Sequence, residues 1–221
     1  GRLKFVKALR GEAKELKFTQ QSQGMLTDWI VRRFAAAGKS IELDAAQRLI
    51  FISGDLMSRL IPEIDKIAAY AKGERVTVKD VDAVASHIPE AVIFEMTELI
   101  SQKKYNSALS VLAELLSDKN NEPIAMTAML GLQMRKLYAA RLAIEQELGS
   151  KYVMEVCAIK YDYIASKLMT AARGFTLPQL IRAVELCGEA DYRMKSSGQD
   201  ARELLKEAVA RIAAGESKCT A

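Results

Sequence analysis

Apolar residues recur at helical spacing along most of the chain, and the first such run begins at Met25. It ends before Gly38, a residue type that commonly follows the last turn of a helix. Asp44 is placed to cap a second helix that Gly54 ends, and Asp55 to open a third. The pattern therefore predicts three consecutive amphipathic helices in this part of the chain.

Two short segments alternate apolar and polar residues instead. Glu15–Thr19 suits a short strand, and Val76–Val78 suits a brief extended link. Thr77 and Asp80 form a capping-box pattern that predicts a fourth helix, and Pro89 ends this group. The chain also opens without an initiator methionine, so we expect it to be cut from a longer protein.

The apolar pattern beyond this group is longer and more uniform, which predicts longer helices. A helical hairpin is expected around Ser101–Lys104, and the next break falls at Asn120–Pro123. The later helices have these limits: one fades near Gly149, one ends at Gly174, one is capped by Thr176 and the last follows Gly198. No repeat of fixed period is present, which argues against a solenoid. Residues 20–90 are therefore expected to form one small helical module and residues 91–221 a second, longer one.

Composition agrees with a mainly α protein that has a hydrophobic core. Of the 221 residues, 50% are hydrophobic, 27% are charged and only four are proline, which favours long helices over a strand-rich fold. The net charge of +4 is spread along the chain, so it permits a nucleic-acid partner without demanding one. No apolar run approaches the roughly 20 residues needed to cross a bilayer, and we expect a cytoplasmic protein with no membrane partner.

The sequence holds no pattern typical of catalysis or metal binding. The three cysteines, Cys157, Cys187 and Cys219, are far apart and form no paired motif. With one histidine in the chain, zinc and disulfides are set aside and a reducing compartment is indicated. That histidine, His87, lies just before Ile88-Pro89, where a helix-end role is favoured over general-base chemistry. Phosphate-binding glycine loops and Ser/His/Asp constellations are absent too, so the sequence predicts no catalytic residue, no metal and no cofactor.

One string stands out at the break between the second and third predicted helices: Gly54-Asp55-Leu56-Met57-Ser58-Arg59-Leu60. It resembles the Gly-Asp-Met/Leu-Arg-Arg-Ala-Leu string in the lid domain of clamp-loader ATPases of the AAA+ class, in which the first arginine reaches the nucleotide phosphates. Met57 occupies the place of that sensor arginine. An arginine can stabilise phosphate charge, whereas a thioether has neither charge nor donor. The resemblance therefore implies a lid that has lost its nucleotide sensor.

Further matches follow in the same order over nearly the whole chain. They are Leu26-x-x-Trp29-Ile30, Gly38, Ile41-x-x-x-Ala45-Ala46, Glu63-x-x-Lys66, Val76-Thr77-x-x-Asp80-Val81, Ile93-Phe94-x-x-Thr97, Ala108-Leu109-x-x-Leu112, Glu122-Pro123-Ile124, Met134-Arg135-x-Leu137-Tyr138 and Asp191-x-x-x-Lys195. In this order the chain resembles the delta subunit family of the bacterial DNA polymerase III clamp loader. The resemblance implies three parts: a remnant of the end of an N-terminal nucleotide-binding-like domain (1–19), an AAA+-type helical lid (20–90) and the helical collar through which loader subunits assemble (91–221).

The resemblance also implies a function and partners. The delta subunit does not hydrolyse ATP; it helps to load the sliding clamp onto primed DNA as part of the DNA polymerase III holoenzyme. The implied partners are other loader subunits of the gamma/tau and delta prime types through the collar, the sliding clamp through the missing N-terminal domain, and primed DNA within the assembled loader. No intrinsic activity is expected in this piece of the protein.

The chain departs from the family in two places. Ala158–Tyr161 stands where the family often has a more apolar or proline-bearing stretch, and the tail Ser217–Ala221 is unlike the family. Two other functions stay open at this point. One is the helical C-terminal part of an active AAA+ ATPase of replication or recombination, against which Met57 argues; the other is an unrelated helical scaffold. Of these three functions, only assembly into a clamp loader predicts binding to loader partners without nucleotide.

Overall fold

The computed structural model describes residues 21–215 without a break and, before them, residues 4, 5, 8, 9 and 16. Apart from Leu16, the strand predicted for Glu15–Thr19 lies outside the described residues. Within residues 21–215 the regular elements are α1 (Gln23–Ala36), β1 (Ser40–Ile41), α2 (Leu43–Ser53), α3 (Met57–Tyr70), β2 (Arg75–Val76), α4 (Val78–Val84), α5 (Pro89–Ser101), α6 (Tyr105–Ser117), α7 (Pro123–Glu145), α8 (Ser150–Val156), α9 (Asp162–Ala172), α10 (Leu177–Ser196) and α11 (Ala201–Ala213). The protein is mainly α, as the sequence predicted.

The N-terminal region, residues 21–88, packs α1 to α4 around one core. Its two strands pair in parallel, Ser40 with Arg75 and Ile41 with Val76. Helices α1 and α3, which precede these strands, also run in the same direction, because Arg33 contacts Asp65 and Lys39 further along donates to the carbonyls of residues 71 and 73. Large side chains with almost no exposure fill the space between the helices: Leu26, Ile30, Phe34, Leu49, Ile52, Leu60, Ile64 and Ile67.

The C-terminal region, residues 89–215, is arranged around α7, which contacts α5, α8, α9, α10 and α11. Helix α10 runs antiparallel to α7. The Thr127 hydroxyl lies 3.5 Å from the Met194 sulfur, while a Cβ on Gly131, one turn further along α7, would lie 3.4 Å from Cys187 Cβ, two turns back along α10. Helix α10 therefore packs along α7 in the opposite direction, as one of the five helices that surround it.

The second helix begins earlier than predicted. Glu42 is its N-cap residue, and the backbone N–H of Glu42 still donates to the carbonyl of Val76 at 3.1 Å. The strand pairing therefore continues to the residue at which the helix starts. The prediction that Asp44 caps this helix was wrong; Asp44 lies in the first turn, where its carboxylate accepts the N–H of Ala45 at 2.8 Å.

The third helix begins later than predicted. Gly54, with a φ of 87°, follows the last residue of α2, and the N-cap of α3 is Leu56 rather than Asp55. The Asp55 carboxylate is instead directed toward Tyr161, from the other region of the molecule. Met57 is therefore the first residue of α3.

Other predicted boundaries are confirmed. The Asp80 carboxylate accepts the N–H and the hydroxyl of Thr77 at 2.8 and 2.7 Å, which is the expected capping box. Pro89 is the first residue of α5, a position that suits a residue without an N–H. The short helix α8 was not predicted, and β2 is shorter than the predicted extended link because Val78 already belongs to α4.

Candidate functional site

The loop that joins α2 to α3 carries the string singled out in the sequence. Gly54 donates its N–H to the carbonyl of Ile50 at 3.0 Å and turns the chain with a φ that L side chains rarely adopt. The side chains of Leu56, Met57 and Arg59 are exposed beyond the turn. The loop thus presents the string at the surface, at the N-terminal end of a helix.

Met57 has an exposed fraction of 36%. Its thioether offers apolar surface and no hydrogen-bond donor, so this position cannot supply a charge to a phosphate group. Arg59, the nearest arginine on α3, lies two residues further along, and residues two apart do not share a helix face. That Met57 stands in the place of a sensor arginine remains a prediction.

Asp55 connects this loop to the C-terminal region. Tyr161 donates its hydroxyl to Asp55 Oδ2 at 3.4 Å, and Lys160 Nζ lies 3.6 Å from the same oxygen. Burial of the phenol, together with the charge of Asp55 and the hydrogen bond to it, raises the pKa of Tyr161 to about 12. The phenol therefore stays neutral near pH 7 and acts as a donor.

An aromatic cluster lies beside this bridge at the junction of the two regions. The Phe51 ring meets Phe94 edge-on, with centroids 5.0 Å apart, and Tyr163 in the same way at 6.3 Å. The ammonium of Lys167 lies 5.1 Å from the Phe51 centroid and 5.9 Å from each of the other two. Edge-on rings and a cation over their faces are favourable geometries, so the cluster holds α2, α5 and α9 together.

Arg48 adds an ionic contact to the junction. Its Nε lies 2.7 Å from Asp82 on α4, and its Nη2 lies 2.7 Å from Glu95 on α5. Burial disfavours the charged guanidinium, but the hydrogen bonds and charges of the two carboxylates outweigh it and raise the pKa of Arg48 above its ordinary value. One side chain of α2 thus links both regions.

A cavity of ≈ 260 Å³ lies between the two regions, next to the aromatic cluster. Its lining is mostly apolar and includes Phe51, Phe94, Ile159 and Leu168, with Lys136 among its few charged groups. It is smaller than the roughly 300–1,000 Å³ of typical ligand sites. We therefore describe it as a gap in the junction.

His87 and the cysteines are the remaining residues that the sequence analysis considered. His87 lies in the link between α4 and α5, with Nε2 3.9 Å from Glu95 Oε1. Cys157 and Cys187 are both free, and burial raises the pKa of the Cys187 thiol to about 12. In the described part of the chain, no cluster of His, Cys, Asp or Glu could hold a metal ion, and no helix is long and apolar enough to span a bilayer. Cys219 lies outside the described residues.

Sequence reasoning missed the junction. Arg48, Phe51, Lys167 and Tyr161 come from different helices, and no local pattern relates them. In the sequence, Arg48 and Lys167 are simply polar residues of amphipathic helices. That pattern fits ordinary solvent exposure equally well.

Comparison with known proteins gives consistent results. Residues 90–212 match the family model described as the DNA polymerase III delta subunit, C-terminal domain. Over 206 residues the chain is 27% identical to DNA polymerase III subunit delta of Bacillus subtilis (strain 168), covering 93% of this chain and 59% of that protein. Over 188 residues it is 26% identical to the probable DNA polymerase III subunit delta of Aquifex aeolicus (strain VF5), covering 84% and 53%.

A solved structure has a similar fold. The DNA clamp loader delta protein of Bacillus subtilis superposes with a TM-score of 0.70 at 25% sequence identity, covering 96% of this chain and 62% of that one. The chain thus spans between half and two thirds of the length of each of these relatives.

Proposed function

We propose, since the chain belongs by residues 90–212 to the family of DNA polymerase III delta subunits, that it serves as a non-catalytic subunit of a clamp loader in DNA replication. The match to the C-terminal domain of that family carries the proposal. The relatives named above include a DNA clamp loader delta protein, which supports membership of such a complex. In this role the protein helps to load the sliding clamp onto primed DNA and works in the cytoplasm.

The proposal divides the chain as the sequence suggested. Residues 1–19 are the end of an N-terminal domain, 20–90 a lid and 91–221 a collar. The parallel pairing of β1 with β2 within residues 21–88 and the helix start at Pro89 support this division. The absence of charge on the Met57 side chain supports a lid that does not sense nucleotide.

We assign subunit assembly to the collar, with loader subunits of the gamma/tau and delta prime types as partners. The outer face of α10 supports this assignment. Tyr192 there has an exposed fraction of 71%, Ile181 is exposed on the same helix, and a Cβ on Gly188 between them would meet no atom within 4 Å. An exposed tyrosine and an open helix backbone suit close packing against another protein. Contact with the sliding clamp is assigned to the N-terminal domain, and contact with primed DNA to the assembled loader.

The test mixes this chain with the other purified clamp-loader subunits of the same bacterium and measures the mass of each species by size exclusion with light scattering, with and without ATP. We expect a stable complex in both conditions. The Tyr192→Asp variant is expected to weaken the complex at least tenfold, because a charge would be buried at the contact. Tyr70→Asp, at another exposed tyrosine outside the proposed collar, is the matched control and leaves the complex unchanged.

Other outcomes would contradict parts of this proposal. A complex that forms only with ATP favours the C-terminal part of an active AAA+ ATPase instead. No complex in either condition favours an unrelated helical scaffold. If Tyr192→Asp leaves the complex intact, the proposed function stands and the contact lies on another face of the collar.

A further inference from the structure

The junction cavity, the gap of ≈ 260 Å³ between the two regions, is lined from both sides. The N-terminal region contributes Ile50 and Phe51 of α2 to its lining. The C-terminal region contributes Phe94 of α5 and Leu168 of α9. A molecule in this cavity therefore contacts both regions at once, and its binding favours the state in which they are packed together.

The volume of the cavity limits the size of its occupant. A drug-sized ligand needs more room, but an apolar protein cavity of roughly 150 Å³ is enough to hold benzene. The junction cavity has space for one aromatic ring with a small substituent. Phe51, Phe94 and Tyr161 all line it, and aromatic side chains pack favourably against a further ring.

The charged groups of the lining favour a neutral occupant. Among the described residues that line the cavity, Lys136 is basic and Asp55 and Glu90 are acidic. Asp55 is already in contact with Tyr161 and Lys160. An ion that enters an apolar cavity loses its hydration at a high cost, and a lining with charges of both signs does not offset that cost. A neutral molecule avoids it.

Gln133 gives the cavity a hydrogen-bond acceptor. Its side chain lines the cavity, and the residue has an exposed fraction of only 8%. The Thr97 hydroxyl donates to the carbonyl of Phe94 at 2.8 Å, so the hydroxyl oxygen accepts from Gln133 Nε2 at 3.3 Å. This network fixes the orientation of the amide. Among the residues that the structure describes, none donates to Gln133 Oε1, and an unpaired acceptor in a buried side chain is costly.

We propose that the junction cavity binds a small neutral phenol, a single aromatic ring that packs against Phe51 and Phe94 and whose hydroxyl donates to Gln133 Oε1. The volume and the apolar lining select the ring, and the unpaired acceptor selects the hydroxyl. The proposal rests on the cavity alone and does not depend on the clamp-loader function.

Titration of this chain with phenol and, separately, with toluene tests the proposal. The two probes have the same shape, but toluene carries a methyl group where phenol carries the donor. Binding is followed by NMR of the chain labelled with carbon-13 in its methionine methyl groups. Met129, which lines the cavity, is the reporter, and Met25, exposed on α1, is the reference.

We expect phenol to bind with a Kd on the order of 1 mM and to shift the Met129 signal without moving that of Met25. Phenol should bind about threefold or more tightly than toluene, because it supplies the hydrogen bond that Gln133 lacks. A cavity without a usable acceptor would show the opposite order, since a methyl group gains more than a hydroxyl from leaving water.

Two variants separate the hydrogen bond from the cavity itself. Gln133→Met keeps the length of the side chain but removes the acceptor, so this variant is expected to bind toluene more tightly than phenol. Gln146→Met, at an exposed residue at the end of the same helix, is the matched control and keeps the wild-type preference. Ile159→Trp, within the lining, fills the cavity and should abolish binding of both probes, whereas Val156→Trp, exposed outside the lining, should not. Circular dichroism checks that each variant remains folded.

Several results would overturn the proposal. If phenol leaves the Met129 signal unchanged, the cavity is closed to ligands or holds only water. If the wild type prefers toluene, or if Gln133→Met keeps the preference for phenol, Gln133 takes no part in binding. Equal shifts at Met129 and Met25 would show unspecific association with the surface. Each of these failures leaves the mixing experiment with the other loader subunits unaffected.

Discussion

Helix α3 of the N-terminal region and helix α7 of the C-terminal region bury their residues in different ways. In α3 the buried residues Leu60, Ile64 and Ile67 form a single stripe, and the other faces are open. In α7 nine residues are buried, including polar and small ones: Met126, Thr127, Leu130, Gly131, Gln133, Met134, Leu137, Ala140 and Ala143. The difference shows that α3 is a surface helix with one core side, whereas α7 is packed by neighbours on several sides.

This comparison can be tested by perturbing each region separately. Trp29 is the only tryptophan of the chain and lies in the N-terminal region, so its fluorescence reports unfolding there. Far-UV circular dichroism reports the helices of both regions. Agreement or disagreement between the two signals shows whether the regions unfold together.

The largest effect is expected from Phe34→Ala in the N-terminal region. Phe34 is fully buried, and its truncation removes apolar contacts and leaves a cavity, at a cost of about 4 kcal/mol in the free energy of unfolding. Urea unfolding followed by Trp29 fluorescence measures it. Val31→Ala, on the exposed side of the same helix, should change the free energy by less than about 0.5 kcal/mol. Similar losses in both variants would show that α1 does not have a single buried side.

In the C-terminal region, Gly174→Ala is expected to destabilise by about 3 kcal/mol, because an added methyl group has no room. A Cβ at this position would lie 2.4 Å from the carbonyl oxygen of Ser101, a backbone atom that cannot move aside. Gly188→Ala is the control in the same region. No atom lies within 4 Å of its Cβ position, and alanine inside a helix is favoured over glycine by about 0.5–1 kcal/mol. Urea unfolding followed by circular dichroism should show opposite signs, and a loss in both would contradict the open face of α10.

Arg48→Ala should cost about 2 kcal/mol and weaken the link between the regions, because it removes hydrogen bonds between charged groups. We expect the fluorescence and circular-dichroism transitions to coincide in the wild type and to separate in this variant, with the N-terminal region unfolding first. Arg141→Ala removes a surface pair with Glu145 and should cost less than about 0.5 kcal/mol. Coincident transitions in Arg48→Ala would show that the aromatic cluster and the contacts of Asp55 couple the regions without Arg48.

The smallest effect is a pH dependence at Tyr161. Its pKa is raised to about 12 in the folded protein, above the value of about 10 for an unperturbed tyrosine. The resulting stabilisation is present below pH 10 and is lost as the pH rises toward 12. Tyr161→Phe should therefore lose less stability than the wild type between pH 9 and 11, as measured by urea midpoints. Parallel curves for the two proteins would mean that burial and Asp55 do not raise the pKa of the phenol.

The sequence predicted the fold where each element depends on its own residues. The capping box of Thr77 and Asp80 and the helix limits at Gly38 and Gly54 are local, and they were predicted correctly. The predicted cap at Asp44 failed because the preceding strand pairing, a contact with Val76, determines where α2 starts. A local pattern thus fails to predict a helix start where a segment distant in the sequence supplies a backbone hydrogen bond, as Val76 does for Glu42.

The candidate site was predictable only in part. The sequence located the Gly54–Leu60 string at a helix junction, and the structure places it there. The partner of Asp55 is Tyr161, which is more than a hundred positions away in the chain, and no periodicity indicates such a pairing.

The central position of α7 also has a consequence during synthesis. Helix α7 ends at Glu145, but its antiparallel neighbour α10 spans Leu177–Ser196. At the roughly 5–20 residues per second of a ribosome, α7 waits for about 3–10 s before α10 is complete. During that interval the side of α7 that packs against α10 has no native cover, so we expect nascent C-terminal regions to need chaperone protection.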